Sequence, residues 1–301
     1  MIKKTLYFGN PAYLSLKNAQ MVLSVPGNDN PPRTFPIEDL GIVILDNRQI
    51  TITHGLMERL LSNNCALITC DASHMPTGLF LPLDGNTLQS ERFRAQIDSS
   101  KPLKKQLWQQ TVQAKIANQA RALNKCVPHC ETGNMVVWAA EVRSDDSTNL
   151  EGRAAAYYWR NFFHEQTDFK RDRDCEGANT LLNYGYAILR AVVARALVGS
   201  GLLPTLGIHH HNRYNAYCLA DDIMEPYRPF VDVTVKKIVD KHGEPDELTT
   251  ELKRELLSIP VIDVIISGKK RPLMLAVETT TASLAKCFLG QTRRIAYPTL
   301  K

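Results

Sequence analysis

The stretch from Thr180 to Leu203 constrains the fold more than any other part of the chain. It is long and apolar, yet it carries Asn183, Arg190 and Arg195. It therefore falls short of the roughly 18 uncharged apolar residues expected of a membrane span. The pattern predicts a buried helix in a soluble domain over 179–198. Gly199-Ser200-Gly201 and then Pro204 supply its stop, since glycine accepts the left-handed cap and proline cannot continue the helix.

Enclosing such a helix takes a sizeable chain, and 301 residues with 44% apolar content suffice for about two domains. The same composition excludes a disordered, collagenous or low-complexity chain. The start, MIKKTLYF, has two lysines but no apolar core behind them, so no secretory signal is expected. Seven cysteines are an odd number spread widely, which argues against a disulfide framework and for a reducing cytoplasm. No membrane association is expected.

The first eighty or so residues read as strands. Apolar runs at 5–8, 21–25, 41–45, 50–52 and 66–69 are separated by turn material such as Gly9-Asn10-Pro11 and PGNDNPP. One helix interrupts them at 55–61, with Thr53 as its expected N-cap. The passage LPLDGNT then marks a boundary. Beyond it, helices are expected at 102–123, 150–163, 179–198 and 272–289. The expected class is α+β: a β-rich domain over 1–82, a linker over 83–101, and an all-α domain over 102–301.

The net charge of +5 is unevenly distributed. Between Glu91 and Lys125 lie Arg92, Arg94, Lys101, Lys104, Lys105, Lys115, Arg121 and Lys125, against only Glu91 and Asp98. With Gln106, Gln109, Gln110, Gln113 and Trp108 interleaved, this stretch could track a phosphate backbone. It could equally be a solvated helix face. Lys269-Lys270-Arg271 reads as a basic loop before the last helix.

Three segments could carry chemistry. His209, His210 and His211 are consecutive, so they point different ways and at most two can serve one site. Asp222 and Glu225 are three apart, which puts both carboxylates on one face of a helical turn. A carboxylate pair with a histidine suits Mg²⁺ or Mn²⁺. Alternatively, Asp221 or Asp222 caps the next helix. Glu151 opens an alanine- and aromatic-rich helix, but Thr148-x-x-Glu151 is also a capping-box pattern. Cys126-x-x-x-Cys130 is at most half a zinc site. No phosphate-loop, dinucleotide or serine-elbow motif is present.

Together these segments resemble the CRISPR-associated integrase, the catalytic subunit of spacer acquisition, essentially end to end. The likeness is carried by KKQLWQQTVQAKIANQ, the segment 150–163, ANTLLNYGYAIL, LGIHHHNRY and LADDIMEPYRP. The first and last of these look most like the type II branch. The resemblance implies that Glu151, His210 and Glu225 are the metal ligands and catalytic residues, with Asp222 a secondary acid. His209 and His211 leave the histidine register open by one. The chain departs from many relatives at Cys175-Glu176-Gly177, where they carry a proline-containing turn.

The resemblance further implies one Mg²⁺ or Mn²⁺, and attack by a DNA 3′-hydroxyl on a phosphodiester of the CRISPR repeat. Water in place of the hydroxyl would make the same site a nuclease. Arg92, Arg94, Lys104, Lys105, Lys115 and Arg228 are candidate DNA contacts. Implied partners are a second copy of the chain, joined through the β domains, and a small second adaptation protein spacing two such dimers along duplex DNA. Other type II CRISPR proteins are further candidate partners. Two other classes stay open on the residues alone: a DNA-binding scaffold without catalysis, and a metallohydrolase of small phosphoesters.

Overall fold

The computed structural model describes residues 3–27, 30–163, 169–172 and 176–301. The chain divides into two compact units, Met1–Thr87 and Leu88–Lys301.

In the first unit, β1 (Lys4–Phe8), β5 (Leu40–Leu45) and β7 (Ala66–Cys70) run parallel, and β8 (Pro76–Phe80) adds to β7 antiparallel. The central strand β5 is LGIVIL, a continuous apolar run buried along almost its whole length, as a covered parallel strand requires. A second sheet pairs β2 (Ala12–Lys17) with β3 (Gln20–Ser24), β3 with β4 (Arg33–Pro36), and β2 in parallel with β6 (Ile50–Ile52). Its strand β2 alternates, with Ala12 and Leu14 buried and Tyr13 exposed. Helix α1 (His54–Ser62) presents Leu56 and Leu60, one turn apart, to the core formed with Leu14, Met21, Leu40 and Val43. Thr53 occupies the N-cap position of α1, but its side chain makes no capping bond.

The second unit is built around the long apolar helix. Its helices are α2 (Gln89–Ile97), α3 (Lys101–Cys126), α4 (Gly133–Glu141), α5 (Leu150–Phe162), α6 (Ala178–Gly199), α7 (Cys218–Met224), α8 (Arg228–His242), α9 (Thr250–Leu256) and α10 (Leu273–Phe288). Helix α6 buries residues on every side, which is why its sequence has no polar face. A Cβ on Gly185 would lie 2.5 Å from Val231 Cγ1, so α6 and α8 cross closely only because that side chain is missing. The buried Arg195 finds Glu278 of α10 at 3.1 Å.

Two expectations need correction. The second unit is not all-α: β9 (Asp263–Ile266) and β10 (Lys269–Pro272) form an antiparallel hairpin. Ser267 and Gly268 both have positive φ, 48° and 74°, the twist that a two-residue hairpin turn needs. Lys269-Lys270-Arg271 is thus a strand, and α10 begins only after Pro272. The stretch expected as a linker over 83–101 contains α2, which belongs to the second unit. Its Gln96 donates to the Leu203 and Leu206 carbonyls (3.0 and 3.1 Å) and accepts from Leu203 N–H at 2.9 Å. One buried amide thereby satisfies the irregular backbone beyond the end of α6. Arg92 donates to the Ser200 carbonyl at 2.7 Å.

Candidate active site

The segment LADDIMEPYRP folds as α7, a single 3₁₀ turn over Glu225–Tyr227, and then α8. Pro226 sits at the start of the 3₁₀ turn and Pro229 at the start of α8, where a missing N–H costs no hydrogen bond. Neither Asp221 nor Asp222 caps a helix, contrary to that alternative; both are buried inside α7. Their carboxylates bind other segments instead. Asp221 accepts from Arg190 Nε at 2.6 Å and from Asn215 Nδ2 at 2.7 Å.

Asp222 gathers the histidine loop. Its Oδ2 accepts from the N–H groups of Ile208 (2.7 Å) and His209 (3.0 Å), and its Oδ1 from that of His210 (3.2 Å). The His210 ring closes on the same carboxylate through Nδ1. A carboxylate that holds one ring nitrogen fixes the tautomer and presents Nε2 as the available ligand, the arrangement usual for metal-binding histidines. The Asp222 hydrogen bond holds the His210 pKa above the ordinary imidazole value against the opposing effect of burial; the charges of Asp222, Glu225 and Glu151 add to it. Gly207 is forced by this turn, since a Cβ there would meet the His210 carbonyl at 2.3 Å and Asp222 Oδ2 at 2.8 Å.

Of the three histidines, His209 is stacked on Trp108, with ring centroids 4.1 Å apart and planes 5° from parallel. Trp108 also meets the His210 ring edge-on at 5.7 Å. His211 is exposed. His210 is the one set against Asp222 within the fields of Glu151 and Glu225. Trp108, noted in the sequence only as one of the residues interleaved in the basic stretch, thus packs against both rings.

Glu151 stands in the first turn of α5, and no Thr148 capping box forms there. Asn149 is the N-cap, accepting from Gly152 N–H at 3.2 Å. Asp146 accepts from Leu150 and Glu151 N–H, both at 2.9 Å. Asp145, Asp146 and Asn149 all have left-handed backbones, with φ of 65°, 46° and 52°. Such strain concentrates where surrounding structure must fix a side chain. Asp146 does not stand out in the sequence, although DDSTN before a helix is rich in cap formers.

The two acids meet at Lys115 of α3. Its Nζ lies 2.6 Å from Glu151 Oε1 and 2.6 Å from Glu225 Oε2, which caps the separation of those oxygens at twice that length. The Lys115, Glu151 and Glu225 side chains are 12%, 24% and 7% exposed. On the other oxygen of Glu225, Arg228 Nε lies at 2.8 Å, with its guanidinium 4.5 Å from the centre of the Tyr186 ring. Burial alone would raise the Glu225 pKa, but Arg228, Lys115 and His210 outweigh it and hold the carboxyl at about 2. Burial likewise opposes the charged Lys115, and Glu225 and Glu151 reverse the effect and raise it. Asn118, one turn after Lys115, donates to the Pro226 carbonyl at 2.8 Å and ties the Glu225 turn to α3.

Behind Arg228, Asp232 accepts from Tyr158 (2.9 Å) and Tyr186 (2.5 Å), and its pKa is pushed up to about 7, chiefly by burial.

The expected DNA contacts separate into groups. Lys115 and Arg228 turn inward onto the acids, and Arg92 is half-buried against Ser200. Lys105 is exposed and 3.0 Å from Asp145. Arg94 is exposed and Lys104 half-buried.

For a divalent cation, the donor set is two carboxylates and an imidazole, hard ligands that suit Mg²⁺ or Mn²⁺. Glu225 Oε2 is buried and has no aligned hydrogen-bond donor, only the charge of Lys115. The residues therefore fit such an ion, provided Lys115 yields. A different trio, His242, Glu251 and Glu255, has donor atoms all within 4.8 Å of one another. Burial raises the Cys126 and Cys130 thiols, away from the thiolate a metal needs. Of the segment Cys175-Glu176-Gly177, Cys175 lies outside the described residues.

A strand-rich unit is followed by a helical one that carries this acid–histidine cluster, and the named relatives with this organisation are nuclease or integrase enzymes. The family model described as "CRISPR associated protein Cas1" matches residues 6–259. The chain belongs to the Cas1 family. It is 35% identical over 283 residues to the CRISPR-associated endonuclease Cas1 of Neisseria meningitidis serogroup C, covering 94% of this chain and 91% of that one. In fold it is similar to a casposase bound to integration product, with a TM-score of 0.79 at 19% identity over 98% of this chain and 92% of the other. It is also similar to a chain of a Cas6-RT-Cas1–Cas2 complex, with a TM-score of 0.77 at 21% identity over 99% of this chain and 36% of that one.

Proposed function

We propose that the protein is a metal-dependent DNA integrase and endonuclease of CRISPR adaptation, most like the type II branch. In this reading it joins the 3′-hydroxyl ends of a captured DNA fragment to the repeat array. Glu151, His210 and Glu225 would hold one Mg²⁺ or Mn²⁺. When bound, such an ion neutralises a scissile phosphate and activates the attacking oxygen. The chain's own part is to fix the ligands. Asp222 sets the His210 ring, Asp146 sets the start of α5 beneath Glu151, and Arg228 keeps Glu225 ionised. No covalent protein nucleophile is required: a DNA hydroxyl gives transesterification, and water gives strand cleavage.

The observation that carries this reading is the meeting of Glu151 and Glu225 on one ammonium, in electrostatic reach of His210, from segments far apart in sequence. The casposase likeness supports integration, since that structure holds an integration product. The Cas1–Cas2 complex supports a small second adaptation protein as partner. Duplex DNA, a homodimer joined through the first unit, and a reducing cytoplasm complete the proposal. Exposed Arg94 and Lys105, with Lys104, are the cations left for phosphate contact.

The test is to incubate the protein and its Glu151→Ala, His210→Ala and Glu225→Ala variants with branched and duplex DNA plus Mn²⁺ or Mg²⁺. The parent should cleave and join strands, and each variant should lose at least a hundredfold. Full activity in all three would overturn the ligand assignment. Hydrolysis of small phosphoesters alone would favour a metallohydrolase, and metal-independent binding without strand chemistry a scaffold.

A further inference from the structure

We propose that Lys115 is the built-in counter-ion of the acid pair: its ammonium neutralises Glu151 and Glu225 in the metal-free protein and competes with the divalent cation for the same oxygens. This rests on the reading of Glu151, His210 and Glu225 as metal ligands.

The charges at the centre make the case. Two carboxylates that share one cation position repel each other, and the repulsion grows as water is removed. Here the two oxygens face a single Nζ at 2.6 Å each, on side chains that are mostly or wholly buried. A positive charge between them offsets that repulsion. Lys115 is that charge in this structure.

The two cations on Glu225 are not equivalent. Arg228 is anchored: its guanidinium lies over Tyr186, and Tyr186 in turn is held by the buried Asp232. Lys115 is a compact ammonium on a four-carbon stem, able to withdraw by rotation and not stacked on any ring among the described residues. Its ammonium meets Glu225 Oε2 at 2.6 Å without a ring or fork to hold it, a contact of charge that another cation can replace. Glu225 thus divides its oxygens, Oε1 on a fixed cation and Oε2 on an exchangeable one.

Lys115 is therefore a positioning residue whose removal should loosen the metal-free protein and tighten the metal complex. Mn²⁺ affinity is measured by calorimetry on the full chain. A Glu251→Gln/Glu255→Gln background keeps the His242 trio from taking up the ion. Lys115→Met should bind Mn²⁺ at least tenfold tighter than its parent. It should melt lower without metal, and the gap should narrow at saturating Mn²⁺. Lys115→Arg, which keeps the charge, should bind Mn²⁺ no tighter than the parent. If Lys115→Met folds only when Mn²⁺ is added, as tracked by circular dichroism, the proposal is supported. If it folds under neither condition, Lys115 has a packing role beyond charge balance and the proposal fails.

Equal Mn²⁺ affinity in the parent and Lys115→Met would overturn the counter-ion role while leaving the metal site standing. If neither the parent nor Lys115→Met binds Mn²⁺, or if binding is unaltered by Glu225→Gln, the metal-site reading falls as well.

Discussion

The backbone N–H of Ile208 donates to Asp222 Oδ2 at 2.7 Å, although fourteen residues separate them. The same carboxylate holds the His209 and His210 amides and the His210 ring. An aspartate buried completely inside α7 is thus the floor of the histidine loop. Hydrogen bonds to a charged group contribute about 1.5–3 kcal/mol each, and losing several strands their donors. Asp222→Ala should therefore destabilise the second unit by about 3 kcal/mol in urea denaturation and remove DNA cleavage. Asp222→Asn should be nearly as damaging, because its amide nitrogen has to face one of the donors. An Asn variant with parental stability and activity would show that the loop is held by other means.

Gly207→Ala tests the same turn from the opposite side. The added methyl would collide with the His210 carbonyl, a backbone atom that cannot swing away. The expected cost is about 1–3 kcal/mol, typical of overpacking. Activity should fall further than stability, because the displaced group belongs to His210. Unaltered kinetics at a normal melting temperature would show that the turn has room for a side chain at Gly207.

Asp146→Ala should cost about 1–2 kcal/mol, as the loss of a helix cap does. It also frees the amide of Glu151, so metal affinity should weaken beyond what the stability loss explains. Mn²⁺ titration of Asp146→Ala beside Asn149→Ala separates the two effects. Asn149 caps Gly152 and leaves the Glu151 amide alone. Equal effects on Mn²⁺ from both substitutions would count against a special place for Asp146.

Asp232 gives the pH dependence its sign. Its folded pKa is raised from 3.8 to about 7, so between those values the native state holds a proton that the unfolded chain has lost. Stability from this group therefore falls as pH rises from about 4 to about 7. Glu225 acts in the opposite sense at lower pH: its folded pKa is lowered from 4.5 to about 2, so its contribution is present above 4.5 and lost as pH falls through that interval. Denaturant midpoints against pH should show a flatter slope between pH 4 and 7 in Asp232→Asn than in the parent. Identical slopes would place the proton elsewhere.

Basic side chains divide by role. Arg94→Ala and Lys104→Ala should each lower the slope of log affinity for duplex DNA against log salt by about 0.9 and leave stability unaltered. Arg92→Ala should instead destabilise, since its guanidinium serves the Ser200 carbonyl behind α6. Loss of salt dependence in Arg92→Ala with normal stability would reverse that assignment.

The parts of the molecule that were legible in the sequence are those whose signals act locally. Helices α3, α5 and α6 could be read closely, because apolar spacing and the Gly199–Pro204 stop need no distant partner. Glu151, His210 and Glu225 were singled out by extended motif resemblance, since three- and four-residue spacing alone could not choose between a ligand and a cap. The inward turn of Lys115 and Arg228 was hidden, because a tally of charge says nothing about direction. Three basic residues in KKRP masked β10, whose register is fixed by the Ser267-Gly268 turn and its partner strand. Asp146 lay within a run where every residue is a plausible cap. Only the folded turn, in which Asp146 accepts from the Leu150 and Glu151 amides, selects the one that reaches Glu151.

Lys115, Glu151, His210 and Glu225 come from α3, the head of α5, a loop and a turn after α7, spread over more than a hundred residues of chain. No stretch ending before Glu225 can bring the acid pair together, and the histidine waits on Asp222, which is made after it. On the proposed reading, a half-synthesised or clipped chain has no metal site with which to cut. The scattered origin of these residues then makes complete folding the condition for activity.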